Sequence, residues 1–337
     1  MLKQLILAMV TITLASSCGI SQEIPSRNNN VPIVYSKKYK ISLMGLEKLH
    51  PFDIAKYDKI YKQLKAEGWA TEKNIHTPPA LTEEQLKLIH TEAYIQSWKS
   101  SRKLAQYLEA PQMAALPGAM LQGSVVKRFQ LASGGTLLAA RLALQSQVAI
   151  NLGGGYHHAK PEQGEGFCLI ADVPIAIRQL QKEKKIQRAL IIDTDAHQGN
   201  GTIVCLAQDP KTFTFSMHES GIYPVPKEKG DWDIGLNAGT TDAAFLDTLR
   251  KALPIMFQRS KPDIVFHVAG CDTLAGDPLA NLAMTHDGIA KRDAMVAAYC
   301  KKMNIPYVMT MAGGYSKDAW KAQHKGILAV IGVYNQP

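Results

Sequence analysis

Short apolar segments, each followed at once by polar or glycine residues, recur along this 337-residue chain and restrict its fold more than any other feature. Their β-branched, nearly continuous apolar character is typical of strands buried on both faces of a parallel sheet. These predicted strands are residues 148–152, 189–192, 212–216, 263–268, 307–311 and 327–333. Such strands need helices on both sides to cover them.

Longer segments with helical patterns lie between these strands. Residues 170–185 and 241–257 are two of them, and residues 50–144 are mainly helical by pattern. The alternation predicts an α/β fold with a mostly parallel, doubly wound sheet flanked by helices. Because no linker or repeat interrupts the pattern, we expect residues 33–337 to form a single domain.

The first residues have the pattern of an export signal. Lys3 precedes an uncharged apolar run and three small residues, so residues 1–17 are predicted to be a signal peptide, too short to span a bilayer. Cys18 follows in a sequence that resembles a bacterial lipobox, which predicts lipid attachment there and a tether over residues 18–32. We therefore expect an exported periplasmic or cell-envelope lipoprotein, held at the membrane by its lipid, or a secreted protein if cleavage is ordinary.

Charge and cysteine content exclude several classes of protein. The net charge of +9 suits nucleic acid, an anionic membrane surface or acidic substrates, but the basic run at residues 181–188 lacks interleaved aromatic residues, so we expect no nucleic-acid partner. The 5 cysteines form no CxxC pair, which argues against a zinc ribbon and a disulfide scaffold. Apart from Cys18, we expect them in the core.

Polar clusters follow the predicted strands, and the carboxyl ends of parallel strands meet at one edge of a sheet, where ligands bind. The clusters are GGGYHH at 153–158, DTDAH at 193–197, SMH at 216–218, GCD at 270–272 and GGY at 313–315. We therefore expect these five clusters to converge on one crevice.

Three residues in these clusters form a candidate metal site. Asp195 and His197 are spaced to point to the same side of an extended segment, and Asp272 follows a neighbouring strand. Two carboxylates and one imidazole leave the fourth position of a tetrahedral zinc ion open, as in catalytic sites. The sequence thus predicts a catalytic Zn²⁺ site, with another divalent ion such as Fe²⁺ as the alternative.

Two further groups could serve the chemistry of such a site. His157 and His158 supply two imidazoles, which can act as base and acid if their partners differ. Tyr315, after two glycines, could donate its phenol hydrogen to a developing oxyanion.

These motifs together resemble the zinc-dependent histone deacetylase family of the arginase–deacetylase fold. The resemblance runs collinearly over about residues 34–333 and includes GGGYHH, EGFC, DTDAHQGNGT, GCDTLAGDP and MAGGYS. The segments HPFD at 50–53, AHQGNG at 196–201, IYP at 222–224 and GIAKRD at 288–293 look most like the class IV branch of the family.

The resemblance implies roles for individual residues. It makes Asp195, His197 and Asp272 the zinc ligands, His157 and His158 the acid–base pair, and Tyr315 the hydroxyl that polarises the substrate carbonyl. By the same resemblance, Asp193 would orient His157, and Asn200 would support His158 less as a cation than an aspartate would, which suits a base. The remaining implied residues are the acyl-lysine tunnel (Gly166, Phe167 and Tyr223) and an inner K⁺ site (Asp193, Asp195, His197, Ser216 and Met217).

The function expected from these observations is zinc-dependent hydrolysis of acyl-lysine or acyl-amine amide bonds, for example in an acetylpolyamine. The substrate would be a small molecule or a peptide, and the export signal makes histones unexpected. One alternative is an arginase-like two-metal hydrolase that uses Asp277 as a further ligand. Another is a non-catalytic lipoprotein that binds acylated or amine ligands.

Overall fold

The computed structural model describes residues 29–336. The predicted signal peptide at 1–17, the lipid-attachment residue Cys18 and the predicted tether up to residue 28 lie outside the described residues. No helix between residues 29 and 336 has the length and apolarity required to cross a bilayer.

Eight strands form one sheet, and every pair of neighbours is parallel. The strands are β1 (Ile33–Val34), β2 (Ile75–His76), β3 (Val148–Asn151), β4 (Ala189–Asp193), β5 (Thr212–Glu219), β6 (Trp232–Leu236), β7 (Ile264–Val268) and β8 (Tyr307–Thr310). Their order across the sheet is β2-β1-β3-β8-β7-β4-β5-β6. The predicted parallel sheet is therefore confirmed.

Helices cover the sheet and fill most of the region before β3, as the pattern of residues 50–144 predicts. The helices are α1 (Lys56–Ala66), α2 (Glu83–Leu86), α3 (Glu92–Ser97), α4 (Ser101–Tyr107), α5 (Gly118–Leu121), α6 (Lys127–Ser146), α7 (Asp172–Lys182), α8 (Asn200–Leu206), α9 (Asp242–Ser260), α10 (His286–Met303) and α11 (Ala319–Asn335). A π-helical turn, Gln122–Val126, joins α5 to α6, and 3₁₀ turns occur at Lys37–Tyr39, Leu46–Leu49 and Pro111–Ala115.

The sheet buries apolar side chains on both faces, which makes the fold doubly wound. Along β4, Leu190 and Ile192 belong to the core beneath α1, α9, α10 and α11, whereas Ala189 and Ile191 belong to the core beneath α6 and α7. Successive side chains of a strand point to opposite faces, so a strand covered on both sides is apolar at every position. This explains why these strands have continuous apolar sequences.

One predicted strand is wrong. Residues 327–333 belong to α11, where Gly326, Ile327, Val330 and Ile331 form a buried stripe at helical spacing. The segment is apolar enough for a strand, and short apolar runs do not distinguish a strand from a buried helix. Strands β1, β2 and β6 were not predicted, because the first two have only two residues each and β6 is half exposed.

The strand ends that carry the polar clusters lie side by side. Strands β3, β8, β7 and β4 are consecutive across the sheet, so their carboxyl ends form one continuous edge. The cluster at 216–218 differs from expectation, because β5 continues to Glu219 and these residues lie within the strand. Ser216 still reaches this edge, since it pairs in register with Asp193 at the end of β4.

The residues that precede β1 pack against the rest of the structure. The Asn29 side chain donates a hydrogen bond to the Trp69 carbonyl oxygen over 2.8 Å, and Val31 is buried. Residues 29–32, the last part of the predicted tether, therefore lie against the domain in the structure.

Because residues 327–333 are helical, replacing two of their side chains by alanine should lower the free energy of unfolding by unequal amounts. Ile331→Ala should lower the free energy of unfolding by about 2–5 kcal/mol, because Ile331 is fully buried under the sheet. Leu328→Ala, on the half-buried side of α11, should cost only about 1 kcal/mol. Equilibrium urea unfolding would measure both. Equal losses would contradict the helix, because a strand covered on both faces would bury the two residues alike.

Candidate active site

Three side chains form the candidate metal centre at the carboxyl ends of β4 and β7. One ligand atom each from Asp195, His197 and Asp272 lies within 4.8 Å of the other two, and all three residues are buried. His197 Nδ1 lies 2.9 Å from Asp272 Oδ2 and 3.3 Å from Asp195 Oδ1. The structure therefore brings together the three predicted ligands, which come from two separate strand ends.

Backbone amides hold the two carboxylates in place. Gly313 N donates to Asp195 Oδ2 over 2.8 Å, and Ala196 N donates to Asp272 Oδ1 over 2.8 Å. Gly313 must be glycine, because a Cβ there would lie 2.5 Å from a carboxylate oxygen of both Asp195 and Asp272. The backbone of the loop after β8 thus lies directly against Asp195 and Asp272, called the acidic pair below.

The donor set fits a divalent cation. Burial disfavours a charged imidazole, yet hydrogen bonds to Asp195 and Asp272 raise the pKa of His197 to about 11. Burial and the neighbouring Asp195 likewise raise the pKa of Asp272 to about 7. Two carboxylate oxygens and one imidazole nitrogen therefore face one another, and this set of ligand atoms suits zinc with an open position.

His157 pairs with a carboxylate. Its Nδ1 lies 2.7 Å from Asp193 Oδ2, and its Nε2 lies 3.8 Å from Asp195 Oδ1. Burial lowers the pKa of His157, but the Asp193 and Asp195 carboxylates outweigh burial and raise it to about 9. The two carboxylates near His157 therefore favour its protonated form.

His158 pairs with a neutral amide. Its Nδ1 donates to Asn200 Oδ1 over 2.7 Å, and its ring centroid lies 4.0 Å from that of His157. Burial, followed by the charge of His157 and of His197, lowers the pKa of His158 well below its usual value. The two adjacent histidines therefore have opposite pKa shifts, because their Nδ1 partners differ.

Tyr315 lies in the loop that covers the acidic pair. Its backbone amide donates to Asp277 Oδ2 over 2.8 Å, and its ring lies 6.2 Å from the His197 ring. Burial, with Asp195 and Asp272 nearby, raises the pKa of the Tyr315 phenol well above its usual value. The phenol therefore keeps its hydrogen and remains a donor.

An apolar cavity of about 100 Å³ reaches these groups. Its lining includes His157, His158 and Tyr315, and two of the predicted tunnel residues, Gly166 and Phe167. A Cβ at Gly166 would lie 2.4 Å from the His158 ring, so this backbone approaches the histidine as closely as glycine allows. Most of the other lining residues are apolar, among them Tyr39, Ile41, Tyr57, Met113, Val125 and Phe129.

The third predicted tunnel residue lies beside the cavity. Tyr223 is 39% exposed, and its ring is 5.0 Å from the His158 ring, at the outer side of the site. Phe167 packs edge-on against His50 and Tyr315, with ring centroids 4.5 and 5.8 Å away. Tyr223 thus contacts the His158 ring, whereas Phe167 contacts His50 and Tyr315.

The residues of the predicted K⁺ site lie along β4 and β5. Asp193 pairs in register with Ser216, Met217 follows it in β5, and Asp195 and His197 continue from β4. Gly199 N donates to Ser216 Oγ over 3.4 Å, so the loop after His197 folds back over β5. All five residues are buried.

Sequence reasoning missed several supporting residues. Lys56 is buried and donates to the carbonyl oxygens of Ala312 and Gly313, and Asp172 accepts from the amides of Gly155 and Tyr156. A charged residue at an inward helical position of α1 or α7 was the available signal. A single sequence does not show which loop such a residue holds.

Comparisons with known proteins identify the family of this chain. The model of the histone deacetylase domain family matches residues 50–331. The chain is 39% identical over 294 residues to Histone deacetylase 2 of Arabidopsis thaliana, covering 86% of this chain and 76% of that protein. It is 34% identical over 309 residues to the acetoin utilization protein AcuC of Bacillus subtilis, covering 86% and 78%.

A solved structure of a histone deacetylase homologue from Aquifex aeolicus superimposes with a TM-score of 0.72 at 25% identity, covering 90% of this chain and 84% of that one. The HDA15 HD domain superimposes equally well, at 0.72 with 19% identity and 91% coverage of both chains, and supports the fold. The protein belongs to the histone deacetylase domain family and is a hydrolase that acts on amide bonds.

Proposed function

We propose that this protein is a zinc-dependent deacylase of acyl-lysine or acyl-amine substrates, such as acetylpolyamines. The observation that carries the proposal is the pair of adjacent histidines, one bonded to a carboxylate and the other to an amide, beside a buried Asp–His–Asp cluster. Hydrolysis of an amide needs one group that accepts a proton from water and another that gives a proton to the amine. A pair whose environments separate their pKa values supplies both.

Asp195, His197 and Asp272 would hold the metal ion. When bound there, a divalent cation supplies Lewis-acid polarisation of the amide carbonyl and lowers the pKa of water. His158, neutral and with Nδ1 occupied by Asn200, accepts the proton of the attacking water at Nε2. His157 is held by Asp193 and donates a proton to the departing amine nitrogen. Tyr315 donates its phenol hydrogen to the oxyanion that develops on the carbonyl.

The cavity walls suit a linear acyl-amine. Phe167 and Gly166 would flank the aliphatic chain of the amine, with Tyr223 on the outer side of His158. The apolar space beyond Tyr315 and the histidines would receive the acyl group. We also assign the chain to the class IV branch, on the segments at 50–53, 196–201, 222–224 and 288–293 and on Asn200 as the partner of His158.

The contacts of Asp277 count against the arginase-like alternative. Asp277 Oδ2 accepts from the amides of Tyr315 and Ser316, and its Oδ1 accepts from that of Leu279. Within residues 29–336, Asp195, His197 and Asp272 form the one cluster of three ligand-type side chains. A second metal ion would therefore have no comparable set of ligands there.

We further propose that the protein is exported and attached to the cell envelope through Cys18.

A buried K⁺ ion held by Asp193, Asp195, His197, Ser216 and Met217 would balance negative charge behind the metal centre. Metal analysis of purified protein in K⁺ and in Na⁺ buffers tests the ion assignment.

The principal test measures metal dependence. Purified protein should release acyl groups from a panel of acyl-lysine peptides and acylpolyamines, and chelation should abolish the activity until Zn²⁺ or Fe²⁺ is restored. Asp272→Ala should weaken the affinity for the metal by about ten-fold or more, because it removes one of the three ligands. Asp287→Asn, an exposed acid on α10, is the matched control. Full activity in metal-stripped protein would refute the proposal.

Removing the phenol hydroxyl tests the role of Tyr315. Tyr315→Phe should lower kcat by about 10²–10³-fold, because one donor to the oxyanion is lost, while metal content stays unchanged. Tyr61→Phe, at a half-buried position of α1 where the ring stacks on Tyr35, is the control and should keep full activity. A change in KM alone, with kcat intact, would contradict the role.

Lipid attachment can be tested in cells that express the full chain. Cys18→Ser should move the protein from the membrane fraction to the soluble periplasmic fraction or the medium, because the lipid-bearing thiol is lost. Metabolic labelling with a fatty-acid probe measures the modification directly. Labelling that persists in the variant would contradict attachment at Cys18.

A further inference from the structure

Glu165 lies in the turn before Phe167, one residue from the tunnel backbone, and the proposed reaction gives it no role. Its Oε1 accepts a hydrogen bond of 2.5 Å from Asn200 Nδ2 and lies 3.1 Å from Lys160 Nζ. Its Oε2 accepts from Gln163 Nε2 over 2.8 Å. The side chain is 20% exposed, so this carboxylate is held at the edge of the buried site.

The carboxylate decides which way the Asn200 amide faces. An amide has a donor end and an acceptor end, whereas an ionised carboxylate only accepts. Asn200 must therefore turn Nδ2 toward Glu165, and its Oδ1 then faces His158 Nδ1 at 2.7 Å. Without Glu165, the geometry around Asn200 would leave the opposite orientation open.

The orientation of the amide in turn decides which nitrogen of His158 carries the hydrogen. Asn200 Oδ1 only accepts, so the neutral imidazole bears its hydrogen on Nδ1 and keeps a lone pair on Nε2. A reversed amide would present Nδ2 to His158 Nδ1 and favour the hydrogen on Nε2. In that tautomer Nε2 has no lone pair with which to accept a proton.

We propose that Glu165 is a positioning residue that orients the Asn200 amide and thereby fixes the Nδ1–H tautomer of His158. The proposal rests on the proposed function in one respect, which is that His158 acts as the base. Lys160 supports the arrangement, because its ammonium contacts the same Oε1 atom that accepts from Asn200. The polar chain thus runs from His158 through Asn200 and Glu165 to Lys160.

The first test replaces Glu165 and reads the tautomer directly. Zinc-loaded protein labelled with ¹⁵N-histidine would be examined by long-range ¹H–¹⁵N NMR at neutral pH, with the His158 signals assigned by their loss in His158→Gln. In wild type, Nδ1 should bear the hydrogen. In Glu165→Leu, we expect a second population with the hydrogen on Nε2, and in Glu165→Gln, whose Oε1 still accepts, the wild-type pattern.

Kinetics on the acyl substrates provide the second readout. Glu165→Leu should lower kcat by about ten-fold or more with KM within about two-fold, and Glu165→Gln should stay within about three-fold of wild type. The matched control is Glu228→Leu. Glu228 Oε1 lies 3.6 Å from the same Lys160 Nζ, and within residues 29–336 its side chain has no hydrogen bond to Asn200. It should leave tautomer and kcat unchanged.

A compensating pair keeps the proposal testable if Glu165→Leu fails to fold. Asn200→Asp alone places two carboxylates at the 2.5 Å contact and should lower kcat by about ten-fold or more. Adding Glu165→Gln supplies a donor to the new carboxylate and should restore most of the loss. Independent, multiplicative effects of the two substitutions would overturn the proposal.

The outcomes separate this proposal from the proposed function. An unchanged His158 tautomer in Glu165→Leu overturns the role of Glu165, whatever the activity. If no acyl substrate is hydrolysed by the wild type, the proposed function fails, and the tautomer measurement still decides whether Glu165 orients Asn200.

Discussion

The structure depends on the stabilisation of two carboxylates buried within one small volume. Asp195 and Asp272 are 1% and 0% exposed, and burial of an unpaired charge is among the most costly events in folding. Backbone amides of Gly313 and Ala196 donate to them, and His197 lies between them. The loop conformations after β4, β7 and β8 are therefore coupled to one another through the acidic pair.

Two buried cations, Arg292 and Lys56, donate hydrogen bonds to the same loops. Arg292 is fully buried and donates to the carbonyl oxygens of Thr194 and Gly270, which precede the residues of the acidic pair. Lys56 donates to the carbonyl oxygens of Ala312 and Gly313 in the loop that carries Tyr315. Burial lowers the pKa of Lys56, whereas Asp272 and Asp195 act in the opposite direction. Arg292, which also pairs with Asp293, thus joins the loops after β4 and β7, and Lys56 fixes the loop after β8.

The two adjacent histidines differ in the partner of their Nδ1 atoms. His157 and His158 are neighbours in sequence, equally buried and in ring contact, yet one Nδ1 faces a carboxylate and the other an amide oxygen. The carboxylate stabilises the cation, and the amide does not. The difference between the carboxylate of Asp193 and the amide of Asn200 therefore gives the two histidines opposite electrostatic environments, which is the basis of the acid and base roles proposed for them.

The sequence by itself predicted a parallel sheet, five of its eight strands and the residues of the candidate site, because strands covered on both faces are continuously apolar and polar residues gather where such strands end. Asp195, His197, Asp272, both histidines and Tyr315 all follow from that pattern. The strand predicted at residues 327–333 was wrong, since an apolar run of that length is compatible with a strand or a helix. Only the tertiary structure assigned Glu165, Asp277, Lys56 and Arg292 to the loops they hold, because these contacts join segments far apart in the chain and have no local signature.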